Sequence, residues 1–347
     1  PQHLNLSFSN YRYERGKISD LCNNSSYCNA YWYDEGNFFD IISEQFVGGN
    51  NQTYIIRCNF LAPNQIGSCS VIKSFGSAGI IKTIFLDGSL YVLYNNESNI
   101  LTLSGNNYST SSQIQTIITC EDMLANTGNQ STIFCISSNS IYLSGDTIPL
   151  FTMSEGNLMS YDDTFYNDGQ LFLANESHII TLETSSYTVS SSTKVCDSCS
   201  FSFYLSQNGH WKLLTILFYQ LPNLPVSEIW QYDCSDINNW KMYRKLPIYD
   251  SSLSPDSRKI PNKLGPLFVL ADNCCLNDTD SASAVLVYNP FSSSHNALLD
   301  IIKISKDDTR YCYSGINEGT VIGICPNQIS VYRTSLTPSL DISLDIE

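Results

Sequence analysis

Cysteine offers more chemistry than any other residue type in this sequence. Thirteen of the 347 residues are Cys, and they are spread along the whole chain. Cysteines dispersed in this way favour disulfides over one compact metal site. We therefore expect an oxidised extracellular protein, whose odd count allows one partner to lie outside this segment or one thiol to link to another chain. The cysteines are Cys22, Cys28, Cys58, Cys69, Cys120, Cys135, Cys196, Cys199, Cys234, Cys274, Cys275, Cys312 and Cys325.

Asparagine supplies a second chemistry, because nine of these residues stand two positions before Ser or Thr with no intervening Pro. This is the acceptor pattern for N-linked glycans, and it agrees with the cysteines on the secretory route. A chain rich in Asn, Ser and Thr also produces some such patterns by chance. The candidate glycosylation sites are Asn5, Asn23, Asn24, Asn51, Asn96, Asn107, Asn129, Asn175 and Asn277.

Two further patterns are typical of metal sites. Cys196 and Cys199 have CxxC spacing, but no second CxxC follows and the chain has only four histidines to complete a zinc site. Asp87 and Asp168 precede glycines without the DxDxDG spacing of a calcium loop. We expect disulfides from the cysteines, turns from the aspartates, and no metal or other cofactor.

The net charge of −15, with only 18 Lys and Arg, excludes several classes of partner. Nucleic-acid contacts need clustered cations to displace counterions. Heparin-like polyanions and anionic lipid surfaces are disfavoured for the same reason. We therefore expect no nucleic-acid partner.

Short β-rich runs separated by Gly, Asn, Asp and Ser predict strands, and no sustained helical stripe occurs. A strand, a tight turn and a second strand recur at 83–94, 165–175, 264–288 and 311–332. Asp-Gly turns supply the positive φ that two-residue hairpins require. With 42% hydrophobic residues, 22 Tyr and 16 Phe, the chain can bury a large core.

This spacing predicts an all-β, six-bladed β-propeller of four-stranded antiparallel sheets, stapled by disulfides, with roughly 55 to 60 residues per blade. A pair of β-sandwich domains is the rival architecture, but no linker-like boundary divides the chain. We expect one domain over residues 1–347. The chain begins at Pro1 and has no long apolar run and no leader, so we expect a trimmed ectodomain whose stalk and anchor lie outside it.

Several segments resemble, in order, the globular head of paramyxovirus attachment glycoproteins, the family of haemagglutinin-neuraminidase, haemagglutinin and henipavirus-type G. Asp34–Phe38 is similar to the DEGxF run that opens the first blade, and Ile66–Ser70 to the IGSCS element. The remaining matching segments are the Cys120 and Cys135 pair, Asp168–Phe172 followed by Val195–Cys199, Ser283–Val285, and Cys312 with Cys325. Residues 201–261 are largely unmatched.

The resemblance implies a six-bladed head on the virion envelope and the infected-cell surface, in a type II membrane protein. It implies disulfides that join Cys120 to Cys135 and Cys312 to Cys325. Its implied partners are a host cell-surface receptor and a separate viral fusion protein, with a dimer or tetramer formed through the missing stalk.

The residues of a sialidase site are not matched. The family's basic hexapeptide is replaced by Gln65–Ser70, and the position of its nucleophilic Tyr is occupied by Asp307. We therefore expect no catalytic residues and a protein receptor. Two alternatives stay open: a haemagglutinin-neuraminidase that binds or hydrolyses sialic acid, and a non-viral secreted ligand-binding propeller.

The resemblance places the receptor-contacting loops just before 267–270 and just after 283–285. Binding loops on a rigid scaffold carry most of the variability that the scaffold tolerates, and Phe291 has the character of an interface anchor. Ordinary turn packing is the competing interpretation. The candidate receptor-binding residues are Asn262, Lys263, Leu264, Asn289, Pro290, Phe291 and His295.

Alanine or charge-reversal substitutions at Lys263 and Phe291 test this surface. We expect lower binding of the secreted chain to receptor-bearing cells, because a cation and an aromatic anchor are lost, with secretion unchanged. Flow cytometry with the purified variants measures the effect. Binding equal to that of the parent chain removes this surface from consideration.

Overall fold

The computed structural model describes the backbone of much of the chain and, between Phe38 and Lys245, many side chains. The described residues are 6–12, 25–32, 38–62, 65–77, 79–95, 99–116, 118–126, 132–154, 156, 158, 165–166, 169–175, 177–197, 200–208, 211–219, 228–236, 239–247, 261–264, 267–272, 275–277, 280–281, 283–288, 298–305, 313–317, 320–325 and 328–334.

Thirty strands make up the described structure, and the helix within it is one 3-10 turn, Asn106–Tyr108. The first half contains β1 Leu6–Arg12, β2 Ser25–Trp32, β3 Phe38–Val47, β4 Asn50–Ala62, β5 Gln65–Ser77, β6 Ile80–Leu86, β7 Ser89–Tyr94, β8 Asn99–Ser104, β9 Thr110–Gln115, β10 Asp122–Asn126, β11 Thr132–Ser137, β12 Ser140–Leu143, β13 Phe151–Thr152, β14 Phe165–Tyr166 and β15 Gln170–Ala174. The second contains β16 His178–Glu183, β17 Thr188–Lys194, β18 Ser200–Asn208, β19 Trp211–Tyr219, β20 Glu228–Asp233, β21 Lys241–Pro247, β22 Pro261–Leu264, β23 Leu267–Asp272, β24 Cys275–Asn277, β25 Asp280–Ser281, β26 Ser283–Tyr288, β27 Leu298–Ser305, β28 Tyr313–Asn317, β29 Thr320–Cys325 and β30 Gln328–Thr334.

These strands form antiparallel sheets of four, and seven such sheets lie in the described part of the chain. Five are consecutive meanders: β2–β5, β6–β9, β10–β13, β14–β17 and β18–β21. A sixth has the order β22-β23-β26-β27, with the β24–β25 hairpin inserted. The seventh has the order β1-β30-β29-β28, so the first strand completes the last sheet. The four-stranded sheets are confirmed, whereas the predicted count of six is not.

Three of the hairpins predicted from turn chemistry, at 83–94, 165–175 and 311–332, are pairs of consecutive strands in the structure. The prediction of a tight turn at 264–288 is wrong, because β23 pairs with β26 and the β24–β25 hairpin lies between them. In the pair formed by β6 and β7, the turn residues Asp87 and Gly88 have φ angles of 47° and 72°. Two consecutive positive angles define a type I′ turn, whose twist matches the strands that it joins. The turn therefore fixes the register in which Leu86 lies opposite Ser89.

The chain divides into two compact units. Unit 1 consists of Pro1–Ser77, Ser206–His210 and Leu246–Glu347, and unit 2 of Ala78–Leu205 and Trp211–Lys245. The expectation of a single domain over 1–347 stays a prediction.

Unit 2 is held together by three apolar clusters between successive sheets. The first joins β6–β8 to β10 and β11, the second joins β10–β12 to β15 and β16, and the third joins β15 and β16 to β18 and β19. On β11, Ile133 and Cys135 belong to the first cluster, while Phe134 and Ile136 belong to the second. On β15, Leu171 and Leu173 belong to the second, while Phe172 and Ala174 belong to the third. Since successive side chains point to opposite faces, these apolar runs are strands buried on both sides.

Unit 1 contains a buried ion pair between two neighbouring strands. Asp40 on β3 lies opposite Arg57 on β4. Arg57 Nε donates to Asp40 Oδ1 at 2.8 Å, and Arg57 Nη2 donates to Asp40 Oδ2 at 2.9 Å. The Asp40 side chain is fully buried and that of Arg57 is 17% exposed. The guanidinium carbon also lies 3.8 Å from the centroid of the Phe38 ring.

Replacing Arg57 with Met should destabilise the protein by about 3–5 kcal/mol, because the Asp40 carboxylate stays buried without its cation. The midpoint of denaturant unfolding measures this loss. Adding Asp40→Leu should recover most of it, since an apolar pair of similar volume needs no compensating charge.

Lys194→Met is the matched control, because Lys194 and Asp197 form an ion pair on the surface. This variant should unfold at the midpoint of the parent chain. Equal midpoints for Arg57→Met and Lys194→Met would contradict a stabilising role for the buried pair.

Candidate functional site

Strand β21 contains three cationic side chains in an otherwise acidic chain. Lys241, Arg244 and Lys245 are three of the 18 Lys and Arg, and they lie within a strand of seven residues. β21 is the last strand in the order β18-β19-β20-β21, so it forms an edge of its sheet. Two large apolar side chains on it are solvent-accessible, Met242 at 44% and Tyr243 at 37%. We call residues 241–245 together with Trp230 the β21 patch.

A chain of hydrogen bonds on the face of the sheet that carries Arg244 holds this side chain in place. Arg244 Nε donates to Gln231 Oε1 at 2.5 Å, and Gln231 Nε2 donates to Thr215 Oγ1 at 3.1 Å. Gln231 and Thr215 are fully buried and lie opposite each other on β20 and β19. Burial lowers the pKa of Arg244, while the nearby Tyr243 acts in the opposite direction. A guanidinium with a usual pKa above 12 is still charged at neutral pH.

The side chains of Arg244 and Lys245 each lie close to an aromatic ring. Lys245 Nζ lies 4.0 Å from the centroid of the Trp230 ring, and the guanidinium carbon of Arg244 lies 5.1 Å from that of Tyr243. Both distances are within the range of cation–π attraction. Because successive side chains of a strand alternate, Lys241, Tyr243 and Lys245 lie on the face that carries Trp230, whereas Met242 and Arg244 lie on the other face. The first of these faces offers two positive charges beside aromatic rings, which suits an acidic partner surface.

Two lysines of β21 also limit how a partner can approach. Lys241 and Lys245 are exposed. Lysine on an edge strand opposes direct pairing with another sheet. A partner would therefore contact the side chains of the β21 patch rather than extend the sheet.

The predicted receptor-binding residues fall in two places. Asn262, Lys263 and Leu264 belong to β22, an edge strand paired with β23, and not to the loop in which they were expected. This correction follows from their register, since each lies opposite a residue of 267–269. The other four candidates, Asn289, Pro290, Phe291 and His295, lie outside the described residues.

Three candidate glycosylation sites have described side chains: Asn51, Asn107 and Asn175. Asn107 is exposed and has a φ of 55°. Asn175 Oδ1 accepts hydrogen bonds from the backbone N–H groups of Ser177 at 2.9 Å and His178 at 2.6 Å. The Asn175 Oδ1 atom therefore stabilises the turn that follows it, whereas a glycan attaches to the other side-chain atom, Nδ2. Asn277 ends β24, and the sites at Asn5, Asn23, Asn24, Asn96 and Asn129 lie outside the described residues.

Two disulfides have both cysteines within the described residues. The structure joins Cys120 to Cys135, the pair that the resemblance implied, with 5.4 Å between their Cα atoms. It also joins Cys58 to Cys69, which lie directly opposite each other on β4 and β5. The sequence did not predict this second pair, because only the register of β4 and β5 shows that the two cysteines lie opposite each other. Cys196 is disulfide-bonded as well. Cys312 lies outside the described residues, so its expected bond to Cys325 stays a prediction.

Cys234 is free and buried. It follows β20 and lies in the third apolar cluster of unit 2, and its Sγ donates to the Lys212 carbonyl at 3.4 Å. Burial, with a smaller contribution from Asp233, raises the pKa of the Cys234 thiol to about 12. Within the described residues, no group of three or more His, Cys, Asp and Glu could hold a metal ion, and no helix could span a membrane.

No protein-family model and no curated protein matches the sequence. Among solved structures, the chain is similar to the WD40 domain of coronin from Toxoplasma gondii, with a TM-score of 0.62 and 12% identity over 98% of this chain and 89% of that one. It is also similar to BamB from Moraxella catarrhalis, with a TM-score of 0.50 and 10% identity over 95% of this chain and 99% of that one. Both are β-propellers, neither is named as an enzyme, and neither is a paramyxovirus glycoprotein. At this identity they show the fold alone: the chain is an all-β propeller of four-stranded sheets with disulfides.

The state of Cys234 generates a testable prediction. Alkylation requires the thiolate, and a thiol with a pKa of about 12 is neutral at pH 8. Iodoacetamide at pH 8 should therefore leave Cys234 unmodified in the native protein and label it in denaturant. Peptide mass spectrometry measures labelling at this position, and equal rates in the two conditions would contradict the buried, free thiol.

Proposed function

We propose that this chain is the extracellular, non-catalytic binding head of an attachment protein, and that it recognises an acidic protein receptor on a cell surface through the β21 patch. The observation that carries the proposal is the concentration of cations and aromatic rings on one edge strand of a chain with a net charge of −15. Such a surface steers an acidic partner toward itself while the rest of the molecule repels it.

Disulfide chemistry supports the extracellular part of the proposal. Two described cystines and a third bonded cysteine lie in a propeller with nine candidate glycosylation sites. Disulfides persist in oxidising compartments and are rare in the cytosol. The fold itself favours no single function, because propellers serve many.

The non-catalytic part rests on sequence. Gln65–Ser70 lacks the cations of the sialidase hexapeptide, and Asp307 stands where the nucleophilic Tyr is expected. A sialic acid carboxylate would thus lack the arginine clamp that such enzymes use.

In the viral form of this proposal, the head projects from the envelope and the infected-cell surface. It then binds a host receptor and acts with a separate fusion protein, as an oligomer assembled through a stalk. The part of the chain that the structure describes contains seven four-stranded sheets, whereas the resemblance implies six blades. The binding function consequently rests more on the β21 patch and the disulfides than on that resemblance.

The double variant Lys241→Glu with Lys245→Glu tests the β21 patch. The secreted chain should lose binding to receptor-bearing cells by about tenfold or more, because two attractive charges become repulsive. Binding should also fall steeply with added salt. Flow cytometry with the purified protein measures both effects.

Lys194→Glu provides the matched control, since Lys194 is an exposed lysine on β17, the edge strand of another sheet in unit 2. It should bind like the parent chain. Protease treatment of the target cells should abolish binding, whereas sialidase treatment should not. Loss of binding after sialidase treatment, or an equal loss in both charge variants, would overturn the proposal.

A cell–cell fusion assay separates the viral form from a non-viral secreted propeller. The full-length protein is co-expressed with a fusion protein encoded by the same genome. Fusion that depends on both proteins supports the viral form, and its absence supports the alternative.

A further inference from the structure

The hairpin of β3 and β4 ends in a tight turn formed by Gly48 and Gly49. Their φ angles are 61° and 91°, the two positive values of a type I′ turn. An added Cβ would meet no atom within 4 Å at either glycine, so positive φ rather than crowding favours glycine here. The turn places Val47 opposite Asn50 and Phe46 opposite Asn51.

Phe46 is exposed although the strand that carries it is largely buried. Residues 39–44 of β3 are buried, whereas Phe46 is 70% exposed. An aromatic ring is among the costliest side chains to leave in water. Val47 is 51% exposed, and it projects from the opposite face of the hairpin. The ring of Phe46 thus contributes little to the core of unit 1.

Asn51 lies directly opposite Phe46 across the hairpin. Directly opposite residues point to the same face of an antiparallel pair. Because the residues that flank a two-residue turn exchange hydrogen bonds, the next pair is not hydrogen-bonded and has its Cα atoms only about 4.5 Å apart. Asn51 also begins the sequence Asn51-Gln52-Thr53, an acceptor for N-linked glycans.

We propose that Phe46 is a platform for the first sugar of an N-linked glycan on Asn51. In the modification, Asn51 Nδ2 forms a bond to C1 of N-acetylglucosamine and gives up one proton. The bond from C1 to the pyrophosphate of the lipid-linked donor breaks, and the lipid pyrophosphate leaves with the bonding electrons. The apolar C–H face of the attached sugar then covers the Phe46 ring, which removes apolar surface from water.

Thr53 sets the order of events. Its side chain is fully buried, and its Oγ1 has no hydrogen-bond partner among the described residues. A glycosyltransferase that requires Ser or Thr at this position must reach a hydroxyl that is buried in the folded chain. Glycan transfer to Asn51 therefore precedes the burial of Thr53, and the sugar is present when Phe46 takes its place.

A double-mutant cycle measures the contact between the ring and the sugar. The parent chain, Phe46→Ala, Asn51→Gln and the double variant are secreted from glycosylating cells, and site occupancy is determined by mass spectrometry. With the glycan present, Phe46→Ala should lower the Tm by about 2 °C. In the Asn51→Gln background, the same substitution should leave the Tm unchanged.

Enzymatic trimming localises the contact to the first sugar. An endoglycosidase that leaves one N-acetylglucosamine should preserve the difference between the parent chain and Phe46→Ala, and complete removal by an amidase should abolish it. Phe46→Tyr should behave like the parent because its ring face is kept. Val47→Ala, on the opposite face of the same turn, should show no coupling to the glycan.

Three results would overturn the inference: an unoccupied Asn51, an equal effect of Phe46→Ala in both backgrounds, or equal coupling at Val47. If Phe46→Ala is not secreted, Phe46→Leu replaces it, because this variant keeps apolar volume without an aromatic face. The inference depends on the secretory route and not on the receptor, so its failure would leave the β21 patch untouched.

Discussion

Two-sided burial of the central strands is the constraint on which unit 2 depends. A single residue step along β11 or β15 moves from one apolar cluster to the next. A register slip of one residue would send each side chain into the wrong cluster. The packing of each of these sheets therefore depends on the register of its neighbours. Tight turns such as Asp87-Gly88 are important because they fix that register.

Polar interactions add specificity where apolar packing is tolerant. The Asp40–Arg57 pair joins β3 to β4 through two hydrogen bonds, and the Cys58–Cys69 bond joins β4 to β5. In unit 2, the chain of hydrogen bonds from Thr215 through Gln231 to Arg244 crosses β19, β20 and β21. Each of these links spans neighbouring strands and has one geometry that satisfies it, so each favours the observed register over its alternatives. The last of them also orders a surface side chain, which connects the interior to the β21 patch.

The sequence predicted the strands and hairpins well because alternation and turn residues act locally. It did not predict the number of sheets, since β1 pairs with β30 and this contact joins residues more than 300 positions apart. The β21 patch was also missed. Lys241, Arg244 and Lys245 are visible in the sequence, but only the sheet order shows that they occupy an edge. The proximity of Phe46 to Asn51 required the register of a particular turn.

The pairing of β1 with β30 has a mechanical consequence. Leu6 lies opposite Thr334 and Arg12 opposite Gln328, so the outer ends of both strands lie at the same end of their sheet. Tension applied between Leu6 and Thr334 loads the hydrogen bonds of this ladder one after another, as in unzipping, rather than all together in shear. Tension carried by only one of the two ends does not load the ladder in this way. A chain anchored at one end alone can thus withstand pulling that would open this ladder if both ends were anchored.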